Sequence, residues 1–419
     1  MHTLHRTLVI FMLLPFLSST VLAQDGNGTL WGGVPKSTTT DVLGDKLNTI
    51  TTAVPFLLVA PDSRAGAMGD AGVSSTPDAN SMHWNPAKYA FSEKAMGFSV
   101  SYSPWLKALV NDINLAYLSG YWKLDENSAI AASLLYFSLG EIQFTDELGT
   151  PGATVKPNEF SLDFAYSRKF NKRFSMAVAA RYIYSNLTMG QYVQGQETHA
   201  GQSFATDVAF YYHKPFTFAG RKKGNVFAFG ANISNIGSKI SYTTSTERDF
   251  IPTNLRLGPS LTLTLDDYNQ ISFMIDFNKL LVPSPPIYSM DSNNIPIRDP
   301  DGNLIIEDGM DPNVGIVEGM IQSFHDAPGG MKEEMREINI SGGVEYWYDK
   351  QFAVRGGYFH ENKYKGNRKF FTLGAGLRYN VFGLDFAYLI PLDQRNPLEN
   401  TIRFSLLFDM DAFKEQNKQ

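Results

Sequence analysis

The chain has seven histidines, and no two of them stand at the spacing of a metal-ligand pair. His83 sits beside Trp84, a setting for packing or hydrogen bonding rather than ligation. Asp299, Asp301, Asn303 and Glu307 alternate in the manner of a calcium loop. An EF-hand loop needs glycine at its sixth position, and here Gly302 comes at the fourth. A tight turn built on Asp-Pro-Asp-Gly-Asn is expected instead. The stretch GAMGDAG, residues 66–72, has the glycine density of a dinucleotide loop without a strand–loop–helix setting. No nucleophile elbow, zinc motif or phosphate loop occurs. No catalytic group, metal site or cofactor is therefore expected, and the chain reads as non-enzymatic.

The remaining chemistry is charge: Asp163, Arg181, Arg256, Asp276, Glu345, Arg355, Arg378, Asp385 and Arg403. Each occupies the polar phase of a run with period two. In NLRLGPSLTLTL, residues 254–265, the leucines 255, 257, 261, 263 and 265 share one phase and Arg256 the other. ISFMIDFN, FFTLGAGLRY, FGLDFAYLI, TIRFSLLF and EFSLDFAY repeat the pattern. Side chains alternate between the faces of a strand, so one face is apolar and the other small, polar or charged. The runs are mostly about 9–13 residues long, which suits a tilted strand crossing a bilayer. Strands of a soluble sandwich are usually about 5–6 residues. An all-β, antiparallel, up-and-down transmembrane barrel of about 14 strands is expected.

The expected strands lie near 96–103, 112–123, 128–146, 157–169, 173–188, 202–214, 225–236, 253–266, 269–280, 336–348, 351–364, 369–380, 382–391 and 400–409. Short connections (LDENS, FNKR, DDYN, YDKQ, NVFG) alternate with longer ones, and PFTFAGRKKG is a longer exception. Bacterial barrels have short periplasmic turns and long outer loops, so both chain ends are expected in the periplasm. Pro259 cannot donate to a ladder, which predicts a bulge or break there. The inward glycines Gly343, Gly357, Gly374 and Gly376 either admit a second chain segment or relieve curvature. The inward charges are mixed in sign, which favours a lumen filled by paired groups over an open pore.

Composition agrees. Aromatics reach 13% while mean hydropathy is only −0.19, as expected where alternation dilutes apolar residues. The net charge of −6 argues against nucleic acid, which requires a basic face. There is no cysteine, so an acylated lipoprotein anchor, disulfides and thiolate metal sites are closed. Arg6, the apolar run Leu8–Leu17 and small residues around Ala23 predict a signal peptide over 1–23. No later window is apolar over about 18 residues, so no spanning helix is expected.

Two stretches stand outside the strands. Residues 281–335 form a connection too long to be without function, extracellular by parity. In it Val317, Met320, Ile321 and Phe324 fall at helical spacing, on a short helix that either folds back over the barrel mouth or docks a partner. The other is LLVAPDSRAGAMGDAGVSSTPDANSMHWNPAKYAF, residues 57–91. It resembles the N-terminal motif of the PorV family, within the FadL-like barrel superfamily. The match lies in Arg64, Ala65, Met68, Gly69, Ala71 and Gly72, followed by Asn85, Pro86 and Ala87. ITTAVPFLLVAPDSRAG, SYSPWLKALVNDINLAYLSGYWK and GMIQSFHDAPGGMKEEMREI look similar too, so the resemblance covers most of the mature chain.

The resemblance implies a hatch or plug packed inside or against the barrel. Ordering a Gly/Ala/Ser-rich segment costs much backbone entropy, so close packing and backbone hydrogen bonds must offset it. It further implies type IX secretion. Partners would be secreted cargo with a C-terminal signal domain, the SprA translocon barrel, the PorU sortase complex and outer-membrane lipid. Val317, Met320, Ile321 and Phe324 are the expected cargo anchors. The alternative is a FadL-type transporter of hydrophobic small molecules, which requires an apolar lumen path. The expected organisation is a signal peptide (1–23), a periplasmic or hatch segment (24–94), a barrel (95–410) and a tail (411–419).

Overall fold

The computed structural model describes residues 39–40, 46–104, 112–145, 151–192, 196–217, 224–243, 248–293, 295–392 and 401–409. The expected signal peptide and the C-terminal tail lie outside these residues.

Fourteen strands form one closed antiparallel barrel. They are β1 (Met96–Pro104), β2 (Asn114–Lys123), β3 (Ser128–Ser138), β4 (Asn158–Asn171), β5 (Phe174–Asn186), β6 (Gly201–Phe216) and β7 (Asn225–Gly237). The second half holds β8 (Asn254–Thr264), β9 (Asn269–Leu280), β10 (Asn339–Tyr348), β11 (Phe352–His360), β12 (Lys369–Tyr379), β13 (Phe382–Pro391) and β14 (Ile402–Asp409). Each strand pairs with its sequence neighbours, and β14 closes on β1. Closure leaves no unpaired edge.

The alternation sorts the faces as the sequence predicts. On β4, Leu162, Phe164 and Tyr166 are exposed outward while Ser161, Asp163 and Ala165 are buried inward. On β12, Phe371, Leu373 and Leu377 are exposed and Thr372 is buried. The core of this molecule is thus the filled lumen, and the apolar outer wall is left for lipid.

Several boundaries differ from the expectation. The run expected over 128–146 stops at Ser138, because Gly140 takes a left-handed φ of 75°. Ile142–Thr145 then pairs with Pro151–Val155 in a separate hairpin. Strand β10 begins only at Asn339, after a 3-10 turn at Met335–Glu337. Strand β11 ends at His360.

The break expected at Pro259 is present in one of its two ladders. Gly258 and Pro259 pair with β7 but drop out of the ladder with β9, and the register is the same on both sides of the gap. The bulge lies in β7. There Thr206 faces Ile236 while Val208 faces Ile233, and Asn235 takes a φ of 61°. Asparagine tolerates this conformation better than other residues with a Cβ. Its amide donates to Asp207 Oδ1 at 2.8 Å and its Nδ2 to the Pro252 carbonyl at 2.9 Å.

Residues 48–92 run through the lumen. Asn48 bonds the Tyr364 carbonyl and the Ala53 amide bonds the Phe250 carbonyl, both in long connections. At the other end, Lys123 Nζ donates to the Ser92 carbonyl at 2.9 Å beside a short turn. The chain therefore comes into the barrel at the long-connection end. The two chain ends, expected on the short-turn side, lie outside the described residues.

Candidate functional site

The lumen segment is built from very short elements. Asp62 caps the turn Ser63–Gly66 by accepting from the Ala65 amide at 2.9 Å, and its other oxygen accepts from Trp84 Nε1 at 2.5 Å. A carboxylate preceding the first helical turn is a common N-cap. Burial is the main influence on Asp62, and with Asp78 nearby its pKa is pushed up to about 6. Asn85 accepts from the Ala87 amide, and Pro86 opens the 3-10 turn Pro86–Phe91. A proline there loses no hydrogen bond that the turn needs.

Arg64 is the main tie to the wall. Its Nε and Nη2 meet the two oxygens of Glu345 at 2.9 and 2.7 Å, a bidentate pair. Nη1 reaches Asp78 at 2.8 Å and the Thr76 carbonyl at 3.0 Å, and Nη2 also reaches Thr76 Oγ1. Glu345 is shared with Arg355 at 2.7 Å, and Arg355 continues to Asp385 at 2.8 Å. Arg378 closes the far end on Asp385. A second network joins Arg181 to Asp163, Asp207 and Asn235. The inward charges of mixed sign are thus largely paired with each other and with the segment.

Backbone contacts complete the seat. Asp276 Oδ2 accepts from the amides of Gly72 and Val73 at 2.7 and 2.9 Å. The Gly69 amide donates to Thr372 Oγ1 at 2.8 Å. Arg403 Nη1 donates to Asp70 at 3.0 Å. Lys88 Nζ donates to the Gly72 carbonyl and Ser75 Oγ at 2.8 and 2.9 Å; burial lowers its pKa to about 8. The inward glycines are where the segment lies. A Cβ at Gly343 would stand 2.5 Å from that of Met68, and one at Gly357 would overlap Met68 and Gly69 backbone. Gly374 faces Ala67 in the same way, whereas Gly376 makes room for Arg355 and Asp385.

The lumen is layered along its axis. At the long-connection end Val54, Phe56 and Leu57 pack with Leu115, Phe137 and Ile183 among other apolar wall residues. The ionic belt lies in the middle. Toward the short turns, Met82 and Tyr89 pack on Tyr121 and on wall alanines, and Ala87 packs on Tyr211.

The long connection is clamped to the barrel by a buried ion cluster. Lys279 meets Glu334 and Glu337 at 2.9 and 2.6 Å, and Lys365 meets Glu333 and Glu337 at 2.5 and 2.9 Å. Ser284 Oγ donates to Glu337 at 2.6 Å. Above the clamp stands the helix Ile316–Gln322. It turns Gly319 and Gln322 inward, and Gly319 rests near Phe250 and Pro283. Val317 (67% exposed), Ile321 (64%) and Phe324 (48%) point to solvent. Met320 is half-buried.

Residues 43–287 match the sequence model of the family described as Type IX secretion system protein PorV. The chain belongs to the PorV family. A member of this family is an outer-membrane component of type IX secretion, and the closed barrel fits that location. No curated protein sequence matches the chain. Among solved structures, the chain is similar to the Pseudomonas putida toluene transporter TodX (11% identity, 83% of this chain and 96% of that one, TM-score 0.46). It is also similar to the Ralstonia pickettii toluene transporter TbuX (10%, 84% and 97%, 0.45). A third is a Pseudomonas aeruginosa FadL homologue (12%, 87% and 99%, 0.40).

For this PorV-family chain, the sequence-predicted residues divide into two places. Arg64, Ala65, Met68, Gly69, Ala71, Gly72, Asn85, Pro86 and Ala87 lie together in the lumen segment, all buried. Val317, Met320, Ile321 and Phe324 share one short helix and the residues just after it. Sequence reasoning missed Asp62 and Lys88, although Asp62 before Ser-Arg-Ala-Gly carries a cap signature. It also missed Asn48, whose Nδ2 bonds the Pro285 carbonyl and Glu333 at 3.1 and 2.9 Å; no local pattern marks it. Around Asp299 the structure has a tight turn: Oδ1 accepts from the amides of Asp301 and Asn303, and Gly302 takes a φ of 87°. His83 packs edge-on against Trp84 with centroids 4.8 Å apart. Burial first, then the nearby Arg256, hold its pKa well below the usual range.

Proposed function

We propose that this chain is a non-enzymatic carrier in type IX secretion. It binds secreted proteins through their C-terminal signal domain, receives them at the SprA translocon barrel and delivers them to the surface complex that contains the PorU sortase. The family match over residues 43–287 carries the reading. In this reading residues 48–92 act as a plug that keeps the lumen closed, and the exposed face of Val317, Ile321 and Phe324, with Met320 beside it, receives the cargo. A few apolar anchors commonly dominate an interface. The fill of the outer lumen by Val54, Phe56 and Leu57 argues against an apolar path for small molecules.

The deciding experiment is affinity purification of the tagged protein from its native outer membrane in mild detergent, followed by mass spectrometry. Recovery of secreted proteins that share a C-terminal domain, together with a very large barrel or a sortase-like partner, supports the carrier. Recovery of the barrel with lipid or fatty acid alone would return the assignment to a transporter of hydrophobic molecules.

A further inference from the structure

We infer that the N-terminal segment threads the barrel from the outside inward, so that residues just before Asn48 are displayed at the cell surface beside the long connection. Three independent ties fix the direction. Asn48 donates to the Tyr364 carbonyl through its backbone and to the Pro285 carbonyl and Glu333 through its side chain. All three partners lie in the two connections that follow β9 and β11. Five residues on, the Ala53 amide bonds Phe250, between β7 and β8. Val54, Phe56 and Leu57 then enter the apolar layer formed by the ends of β2, β3, β5, β11, β12 and β13 that face those connections.

From there the chain works its way to the short-turn end, with one return toward the long connections between Ser63, which bonds Ser405, and Gly69, which bonds Thr372. Arg64 reaches Glu345 midway along β10, Gly72 and Val73 reach Asp276 on β9, and Ala87 accepts from Ser167 and Ser175 near the turn between β4 and β5. Met96 opens β1 at the short-turn end. Long connections of bacterial barrels face outward and short turns face the periplasm. The strand Lys46–Leu47, which pairs with Thr39–Thr40, therefore belongs to the outer face. Asn48 is then a strap: it ties the start of the lumen segment to Glu333, which also holds Lys365. The strand pair Thr39–Thr40 and Lys46–Leu47 and the long connection then share one face of the barrel.

The chain lacks cysteine, so single cysteines can be placed without background. Thr49→Cys and Thr39→Cys report on the tail; Thr49 is exposed. Asp301→Cys marks the long connection and Glu126→Cys a short turn, both at exposed positions. Intact cells are treated with a polyethylene-glycol maleimide too large to cross the outer membrane, and each variant is first checked for a heat-modifiable folded barrel. The expected result is labelling of Thr49→Cys and Thr39→Cys in intact cells to the extent seen for Asp301→Cys, with Glu126→Cys labelled only after lysis. Tail cysteines that label only after lysis, together with Glu126→Cys, would overturn the outside-in threading. Neither result bears on whether cargo is carried, so the test is separable from the proposed function.

Discussion

Arg64 and Glu345, 281 residues apart in sequence, meet through two parallel hydrogen bonds inside the barrel. The pair joins the lumen segment to the wall, and Glu345 is simultaneously a partner of Arg355. Removing one member of a buried pair strands the other charge, at a cost of about 3–5 kcal/mol. Glu345→Gln leaves both arginines short of a counter-charge while the strand ladder stays whole. The expected outcome is a heat-modifiable barrel whose residues 62–73 lose hydrogen-exchange protection by on the order of a hundredfold or more. Protection equal to wild type would mean that the pair does not hold the segment.

The glycines give a second, steric test. Gly357 lies under Met68 and Gly69, so a methyl there must push the segment away; Gly342, on the same sheet, has nothing within 4 Å of the equivalent position. Overpacking typically costs about 1–3 kcal/mol. Gly357→Ala should therefore raise ion conductance in planar bilayers above wild type, and Gly342→Ala should not. Equal conductance for both variants would separate the glycines from the seating of the segment.

The wall was more legible in sequence than its filling. Period two gave the strand positions, because a barrel wall has lipid on one side and a polar or small-residue lumen on the other, and each strand reports both faces. It missed the end of β3 at Ser138, since Ile142–Thr145 continues a strand-like composition into a hairpin of its own. Pro259 marked an irregularity, yet the bulge is at Asn235, where the Arg181 network lies. That site depends on four strands meeting and no single run contains it. The direction of the lumen segment was lost for the same reason. Loop parity fixes where β1 begins, and only the long-range bonds of Asn48 and Ala53 fix where the segment starts.

Asp62 predicts a pH dependence. Its folded pKa of about 6 lies above the ordinary value of 3.8. Below 3.8 the carboxyl is neutral whether the segment is seated or released. Between about 4 and 6 the released form ionises first, so seating weakens as pH rises and levels off above 6. Arg64, despite its burial held well above its ordinary range by Glu345 and Asp78, and Lys88, at about 8, stay charged through this window. Exchange rates of residues 62–73, corrected for intrinsic chemistry, should rise from pH 4 to pH 6 in wild type. In Asp62→Asn the corrected rates should be flat. A flat wild-type profile would show that burial does not set this carboxyl's titration.

The exposed helix carries the last prediction. Val317, Ile321 and Phe324 stand in water on a connection that is otherwise tied down through Lys279, Lys365, Glu334 and Glu337. The Phe324 ring centroid lies 5.9 Å from Lys279 Nζ, whereas Val317 and Ile321 are the most exposed of the three. Substitutions at exposed positions away from such ties usually change stability by less than about 0.5 kcal/mol. Ile321→Asp combined with Phe324→Asp should leave expression and heat-modifiability unchanged. If cargo uses this face, the double variant should lose co-purifying secreted proteins, because two carboxylates would have to be desolvated at the contact. Glu318→Ala on the same helix, exposed and charged, should retain them. Cargo recovered equally from all three forms would move the binding surface off this helix, leaving the other long connections to be scanned.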